Sequence, residues 1–323
     1  MPVPSEFDLI RRHFMRPLSH TVLGGGDDCA LVSPSADHEL AISTDMLVAG
    51  THFFPDTEPE SLGWKALAVN LSDLAAMGAR PRWALVAAAL PQADETWIAA
   101  FARGFFACAT RFEVDLIGGD TTRGPLVVLC PTVLGELPKG GALRRDGARA
   151  GDRLWVSGYP GRAGLGLAHL KGERVLQPPD LDACLQALTR PQPRVELGLA
   201  LRGVASAAID ISDGLLGDLG HILQGSGLAA LLYEAALPRP LADTARMAAE
   251  ARQALLAGGD DYELLFSAPP GAPLAEISRK IGLPLTCIGE LVRGDTGQVD
   301  LEDDRGHRTR LPARGYDHFM GSP

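Results

Sequence analysis

Apolar residues along this chain recur in two alternating rhythms. Short runs, ELAIST over 39–44, WALVAAAL over 83–90, VDLI over 114–117 and LVVLCPTVL over 126–134, predict strands. Between them, SLGWKALAVNLSDLAAM over 61–77 and DETWIAAFARGFFACATR over 94–111 have helical spacing. The first is stopped by Gly78 and Pro81, and the second opens on an acidic turn. Pro131 cannot donate to a ladder, which predicts an edge or a bulge at that point of its strand. The polar, Gly-rich stretch PKGGALRRDGARAGD precedes a new apolar run at 153–157 and places a domain boundary close to Ala150. The second half repeats the alternation, with helices expected over 163–171, 195–203, 214–224, 241–250 and 273–281. Strands are expected over 207–211, 228–233, 263–267 and 285–291. Residues 176–193, with four prolines, read as a surface loop holding one short helix. The fold class is α/β or α+β, with domains over 1–150 and 151–323.

Composition narrows the function classes. A length of 323 residues at 46% apolar content is ample for a buried core and fits two domains. A formal charge of −10 argues against nucleic-acid binding, which rests on basic patches. Five cysteines without a CxxC pair fit neither a disulfide framework nor a zinc site and read as reduced thiols. The N-terminus lacks the apolar core of a signal peptide, and the longest apolar run, near Trp83–Leu90, is too short to cross a bilayer. A cytoplasmic protein with no membrane partner is expected.

The chemistry lies in scattered aspartates set among small residues. Asp27 and Asp28 follow three glycines, Ser43-Thr44-Asp45 closes a strand, and Asp73 sits close to the apolar stripe of its helix, one turn after Asn70. Gly118-Gly119-Asp120 ends a buried-looking strand, and Asp210 and Asp213 straddle a strand-to-helix transition. Carboxylates and hydroxyls on such turns suit Mg²⁺, a hard cation that takes oxygen ligands and shares them with phosphates. Adjacent aspartates in extended chain point to opposite sides, so only one of Asp27 and Asp28 faces a given metal. Paired glycines and the helix start near Gly214 offer backbone N–H groups to an anion, although capping by Ser212 or Asp213 predicts the same sequence. There is no GxxxxGK[ST], no HRD or DFG set and no GxSxG elbow, and none of the four lysines lies in a phosphate loop.

Taken together, GGGDDCAL, AISTDMLVAGTHF, KALAVNLSDLAAMGARP, LIGGDTTRGPL, AIDISDGLLGDLGHI, AGGDDYELLF and GYDHF closely resemble the thiamine-monophosphate kinase family, in order and over nearly the whole chain. That family belongs to the aminoimidazole ribonucleotide synthetase-like superfamily. The resemblance implies a two-domain α/β architecture, with an N-terminal Mg/ATP-binding and dimerisation domain and a C-terminal domain completing the active site. It implies a homodimer that phosphorylates thiamine monophosphate with ATP to give thiamine diphosphate. Carried over by motif, Asp28, Ser43, Thr44, Asp45, Asp73, Asp120, Asp210 and Asp213 look like ligands of several Mg²⁺ ions, with Asp45, Asp120 and Asp210 nearest the chemistry. Gly119, Asp120, Arg145 and Ser212 match ATP contacts, and His52, Asp260 and Tyr316 match substrate contacts. The family commonly reads GGEDYEL, so Asp260 is one methylene shorter than the usual glutamate. Two alternatives stay open on the residues: a related ATP-dependent synthetase, and a non-catalytic metal-binding module.

Overall fold

The computed structural model describes residues 6–241 and 249–312. The chain divides into two units, one of Met1–Leu74 with Ala79–Gly140 and one of Ala75–Gly78 with Gly141–Pro323. The first contains α1 (Glu6–His13), β1 (Thr21–Leu23), β2 (Leu31–Val32), β3 (His38–Thr44), β4 (Leu47–Val48), most of α2 (Pro59–Ala76), β5 (Arg80–Leu90), α3 (Glu95–Arg111), β6 (Asp115–Arg123) and β7 (Val128–Pro138). Helix α2 is enclosed on nearly every side and takes Lys65, Asn70 and Ser72 into the interior with its apolar residues. From Leu62 to Ala76, Asp73 alone is not buried. Helix α3 starts where the Asp94 carboxylate accepts the N–H groups of Thr96 and Trp97.

The main sheet of this unit runs in the order β3-β7-β5-β6, with β4 also pairing to β7. β5 and β6 are parallel, joined by α3, and the other pairs are antiparallel. Thr132 of β7 lies between Thr44 and Leu85, and Leu85 lies beside Gly118; Val133 lies between Ser43 and Ala84. Side chains alternate along a strand, so Ser43 belongs to one face and Thr44, Thr132, Leu85, Gly118 and Asp120 to the other. Helix α2 reaches the first face, where Ser43 bonds Asp73. On the second face Leu40, Ile42 and Met46 are 36%, 63% and 56% exposed.

Two expectations are corrected here. The strand expected to end at 117 runs to Arg123, because one extra residue at Ile117 is accommodated as a bulge and pairing to β5 resumes from Gly118. The GGDTT segment is therefore strand, not turn. Pro131 lies in an internal strand without a bulge opposite it. It is tolerated because β3 pairs with β7 only as far as Thr132 and β4 resumes at Leu129 in the same register. The missing N–H thus faces the gap between β3 and β4, and the carbonyl there accepts the Thr44 hydroxyl at 2.8 Å.

The second unit holds β8 (Arg153–Ser157), α4 (Arg162–Leu170), α5 (Asp180–Thr189), α6 (Val195–Leu201), β9 (Ala207–Asp210), α7 (Leu215–Ser226), β10 (Ala229–Tyr233), α8 (Ala249–Ala257), β11 (Leu264–Ala268), α9 (Leu274–Ile281), β12 (Leu285–Val292), β13 (Val299–Glu302) and β14 (Arg308–Leu311). Its sheet runs β14-β13-β10-β12-β8-β11-β9 and packs Leu154, Ile209, Leu232, Leu265 and Ile288 against Leu219 and Leu223 of α7. The helix in the proline-rich stretch is α5. The helix expected over 241–250 is described only from Ala249 and continues to Ala257; residues 242–248 lie outside the described ones. Sequence periodicity missed the β13–β14 hairpin, whose alternating charges pair across the strands as Asp300–Arg310 and Glu302–Arg308. No helix among the described residues is long and apolar enough to cross a membrane.

Candidate active site

In the first unit the end of β3 is fastened to α2. The Ser43 hydroxyl donates to Asp73 at 2.6 Å, and the Asp45 N–H donates to Asn70 Oδ1 at 2.8 Å. Asn70 is fully buried, and its amide nitrogen donates in turn to the Ala66 carbonyl. Its position is fixed from within the helix. Thr44 does not join Ser43. Strand alternation turns it to the open face, where it bonds the Pro131 carbonyl and accepts from Thr132 at 3.1 Å. His52 folds back over a tight turn at Gly50, whose φ is +83°. Its Nδ1 accepts the Val48 N–H at 3.0 Å, so in the neutral ring Nε2 carries the proton and is the donor.

The glycine-rich segment and β6 meet the open face. Gly24 to Asp28 and Gly118 to Arg123 line a groove of about 1920 Å³, in which Asp27, Asp28 and Asp120 are exposed. Asp27 accepts the N–H of Asp28 at 2.9 Å, which turns the first carboxylate back on the chain. Both stems of this segment are anchored by buried acids that sequence reading missed. Asp115 accepts the N–H groups of Ser19 and His20 and the Thr21 hydroxyl, and Glu136 accepts from Ser35 and Arg82. Burial raises both carboxyls, but these donors outweigh it and hold each below the usual carboxylate range. A Cβ at Gly119 would stand 2.0 Å from the Val86 carbonyl oxygen. Gly119→Ala should therefore push β6 from β5 and cost about 1–3 kcal/mol in thermal or denaturant unfolding.

In the second unit β9 delivers Asp210, which is 4% exposed, to a turn whose backbone is fully engaged on one side. Ile211 donates to the Glu263 carbonyl and accepts from Tyr262, and the Ser212 carbonyl accepts from Asp260. On the other side, Oδ2 of Asp218 accepts the N–H groups of Ser212 at 3.0 Å and Asp213 at 3.2 Å. Burial, then the charges of Asp210 and Asp213, push the Asp218 carboxyl up to about 8 against those two bonds. Arg145 is exposed, and its carbonyl accepts the hydroxyl of Ser226 at the end of α7.

The segment GGDDYEL alternates like a strand, although Asp260 and Tyr262 both have positive φ, +67° and +52°. The Tyr262 hydroxyl donates to Asp260 at 3.0 Å. Asp261 and Glu263 point inward. Asp261 accepts the N–H groups of Gly161 and Ala163 at the start of α4, where burial pushes it up to about 8. Glu263 takes a two-pronged bond from Arg194 and one from Ser157. Asp218, Asp261 and Glu263 were not singled out from the sequence, because a carboxylate in a first helical turn or inside a motif carries no mark of which way it faces. Tyr316 lies outside the described residues.

Among the described residues no three His, Cys, Asp or Glu side chains converge closely enough to hold a metal ion. The sheet order explains part of this: β3 with Asp45 and β6 with Asp120 are opposite edges of the β3-β7-β5-β6 path. Asp120 also faces away from the side on which Ser43 meets Asp73.

The chain matches the models for AIR synthase related protein, N-terminal domain, over residues 26–137 and AIR synthase related protein, C-terminal domain, over 149–302. It is 46% identical to the thiamine-monophosphate kinase of Salmonella typhimurium, over 97% of this chain and 98% of that protein. The crystal structure of thiamine-monophosphate kinase from Stenotrophomonas maltophilia superposes with a TM-score of 0.81 at 44% identity, covering 93% of this chain and 95% of that one. AaThiL complexed with AMPPCP and TMP superposes with a TM-score of 0.75 at 29% identity, covering 97% and 96%. Agreement along nearly the whole length and in both domains shows that this chain is an enzyme belonging to the thiamine-monophosphate kinase family.

Proposed function

We propose that this chain transfers the γ-phosphoryl group of ATP to thiamine monophosphate, giving thiamine diphosphate and ADP as the last step of thiamine diphosphate synthesis in the cytoplasm. The observation that carries the reading is the full-length likeness to a kinase complexed with AMPPCP and TMP, on a chain whose corresponding motifs present oxygen donors. Asp210 and Asp213, beside buried Asp218, form a carboxylate group whose mutual repulsion a divalent cation would relieve. This donor chemistry fits Mg²⁺. In the first unit Ser43, Asp45 and Asp73 would offer oxygens to Mg²⁺ ions on the helix-covered face and Asp28, Thr44 and Asp120 on the open face; in the second unit Asp210 and Asp213 would do so.

Mg²⁺, when bound, supplies Lewis-acid neutralisation of the phosphate charges. Gly119, Asp120, Arg145 and Ser212 orient ATP, and His52, Asp260 and Tyr316 orient the acceptor, His52 through its Nε2–H. The acceptor oxygen is an ionised phosphate oxygen, so no general base is needed. It attacks the γ-phosphorus in line; the new P–O bond forms as the bond to the β,γ-bridging oxygen breaks, and ADP leaves with that electron pair. Asp45, Asp120 and Asp210 act as ligands and never as nucleophiles. A phosphoenzyme trapped on Asp45 or Asp120 would overturn this.

Carboxylates that share one ion approach within a few ångströms, whereas three interstrand steps put the backbones of β3 and β6 roughly 14 Å apart. We therefore read the enzyme as a homodimer in which β6 of a second copy brings its Asp120 to the β3 edge, covering Leu40, Ile42 and Met46. Incubation with ATP, Mg²⁺ and thiamine monophosphate, followed by chromatography, should yield stoichiometric thiamine diphosphate and ADP. ATP consumption without thiamine diphosphate would favour the synthetase alternative, and no nucleotide turnover would favour a binding module.

A further inference from the structure

The turn 211–213 carries two residues of the proposed nucleotide and metal set, Ser212 and Asp213, and follows directly on Asp210. Its inner edge is held by strand-like bonds to Asp260, Tyr262 and Glu263. Its outer N–H groups, those of Ser212 and Asp213, have one shared acceptor, Oδ2 of Asp218. Asp218 is 2% exposed, in the first turn of α7, and its own N–H donates to the Gly214 carbonyl at 3.0 Å. Gly214 supplies no side-chain cap. The carboxylate therefore does not cap its own helix; it reaches back past Gly214 to the functional turn.

We propose that Asp218 is a positioning residue, which fixes the backbone of Ser212 and Asp213 so that their side chains meet nucleotide and metal together. The proposal rests on the kinase reading above for what those side chains bind. It does not require Asp218 to touch either ligand. An isolated pair of bonds to a loop would stabilise the fold and nothing more; here both bonds end on consecutive residues of the proposed site, and the other edge of the same turn is already engaged. Releasing Asp218 frees only the outer edge, which is the edge that carries the ligand groups.

Asp218→Ala removes the acceptor. It is expected to weaken binding of Mg²⁺ and of AMPPCP by about 10- to 100-fold in titration calorimetry, as loss of an orienting partner does in metal sites. KM for ATP should rise in parallel, while KM for thiamine monophosphate stays near that of the unmodified chain. Asp218→Asn keeps an oxygen with two lone pairs at the same place and should recover most of the lost affinity. A purely structural role would lower the melting midpoint of Asp218→Ala and leave the Mg²⁺ titration of the folded protein unmoved, and that result overturns the proposal. So does an Asp218→Asn variant as impaired as Asp218→Ala, which would mean that the charge acts as a ligand. If Asp218→Ala does not fold, amide exchange decides: slow exchange at both Ser212 and Asp213 in the unmodified chain supports the proposal, and fast exchange at either overturns it. A chain that binds Mg²⁺ and AMPPCP in this pattern yet makes no thiamine diphosphate sinks the kinase reading and leaves the role of Asp218 standing.

Discussion

Asp45→Asn and Asp120→Asn should each lower turnover by on the order of a thousandfold or more, since each removes a charged oxygen ligand near the transferred group. The fold should survive both. Asp45 is half-buried with its N–H bonded to Asn70 Oδ1, and Asp120 is exposed. The sharper result comes from mixing the two inactive proteins after dissociation and reassociation. If Asp45 and Asp120 of one site come from different copies, half of the reassorted dimers carry both changes in one site and none in the other. Activity should then return to about a quarter of the unmodified level. A mixture as inactive as its components would place both acids of a site on one chain, against the distance imposed by the sheet order.

The largest loss of stability is expected at the Glu263–Arg194 pair. Glu263 is 6% exposed, accepts from both Arg194 and Ser157, and presses on Gly158, where a Cβ would have no room. Arg194→Ala leaves this carboxylate buried without its cation, a change that costs about 3–5 kcal/mol. For a unit of this size that corresponds to a melting midpoint lower by roughly 10 °C. Arg194→Met combined with Glu263→Gln removes both charges while keeping an acceptor for Ser157, and should restore most of the loss. If the single and double variants melt together, the pair contributes through packing and not through charge. Because Glu263 lies three residues after Asp260 and its carbonyl holds Ile211, the single variant should also weaken substrate and nucleotide binding together.

Much of this was readable from residue order, for physical reasons that differ from place to place. RLWVS at 153–157 has one apolar rhythm and polar neighbours, and β8 has those bounds. The mostly apolar 61–77 segment was long enough to be only a helix, and its single acid, Asp73, stands out in the sequence as it does in the fold. Directions of side chains were harder. STD reads as one cluster of oxygens, yet strand alternation sends Thr44 away from Ser43. Asp218 carries no mark in the sequence, because the turn it serves lies behind it in the chain. GGDDYEL reads as one functional word, and only the structure separates Asp260 from the inward-facing Asp261 and Glu263. The separation of β3 from β6 depends on strand order, which local periodicity does not encode.

The charged hairpin at the end of the second sheet bears on how copies of the chain meet. β14 is the outermost described strand there, and it displays Arg308 and Arg310, each bound to an acid on β13. Another strand adding at that border would have to desolvate these paired charges, a barrier that guards against open-ended stacking. The β3 border offers Leu40, Ile42 and Met46 instead. In the proposed dimer, pairing is thereby steered to the β3 and β6 borders of the first sheet and not to the charged β14 border.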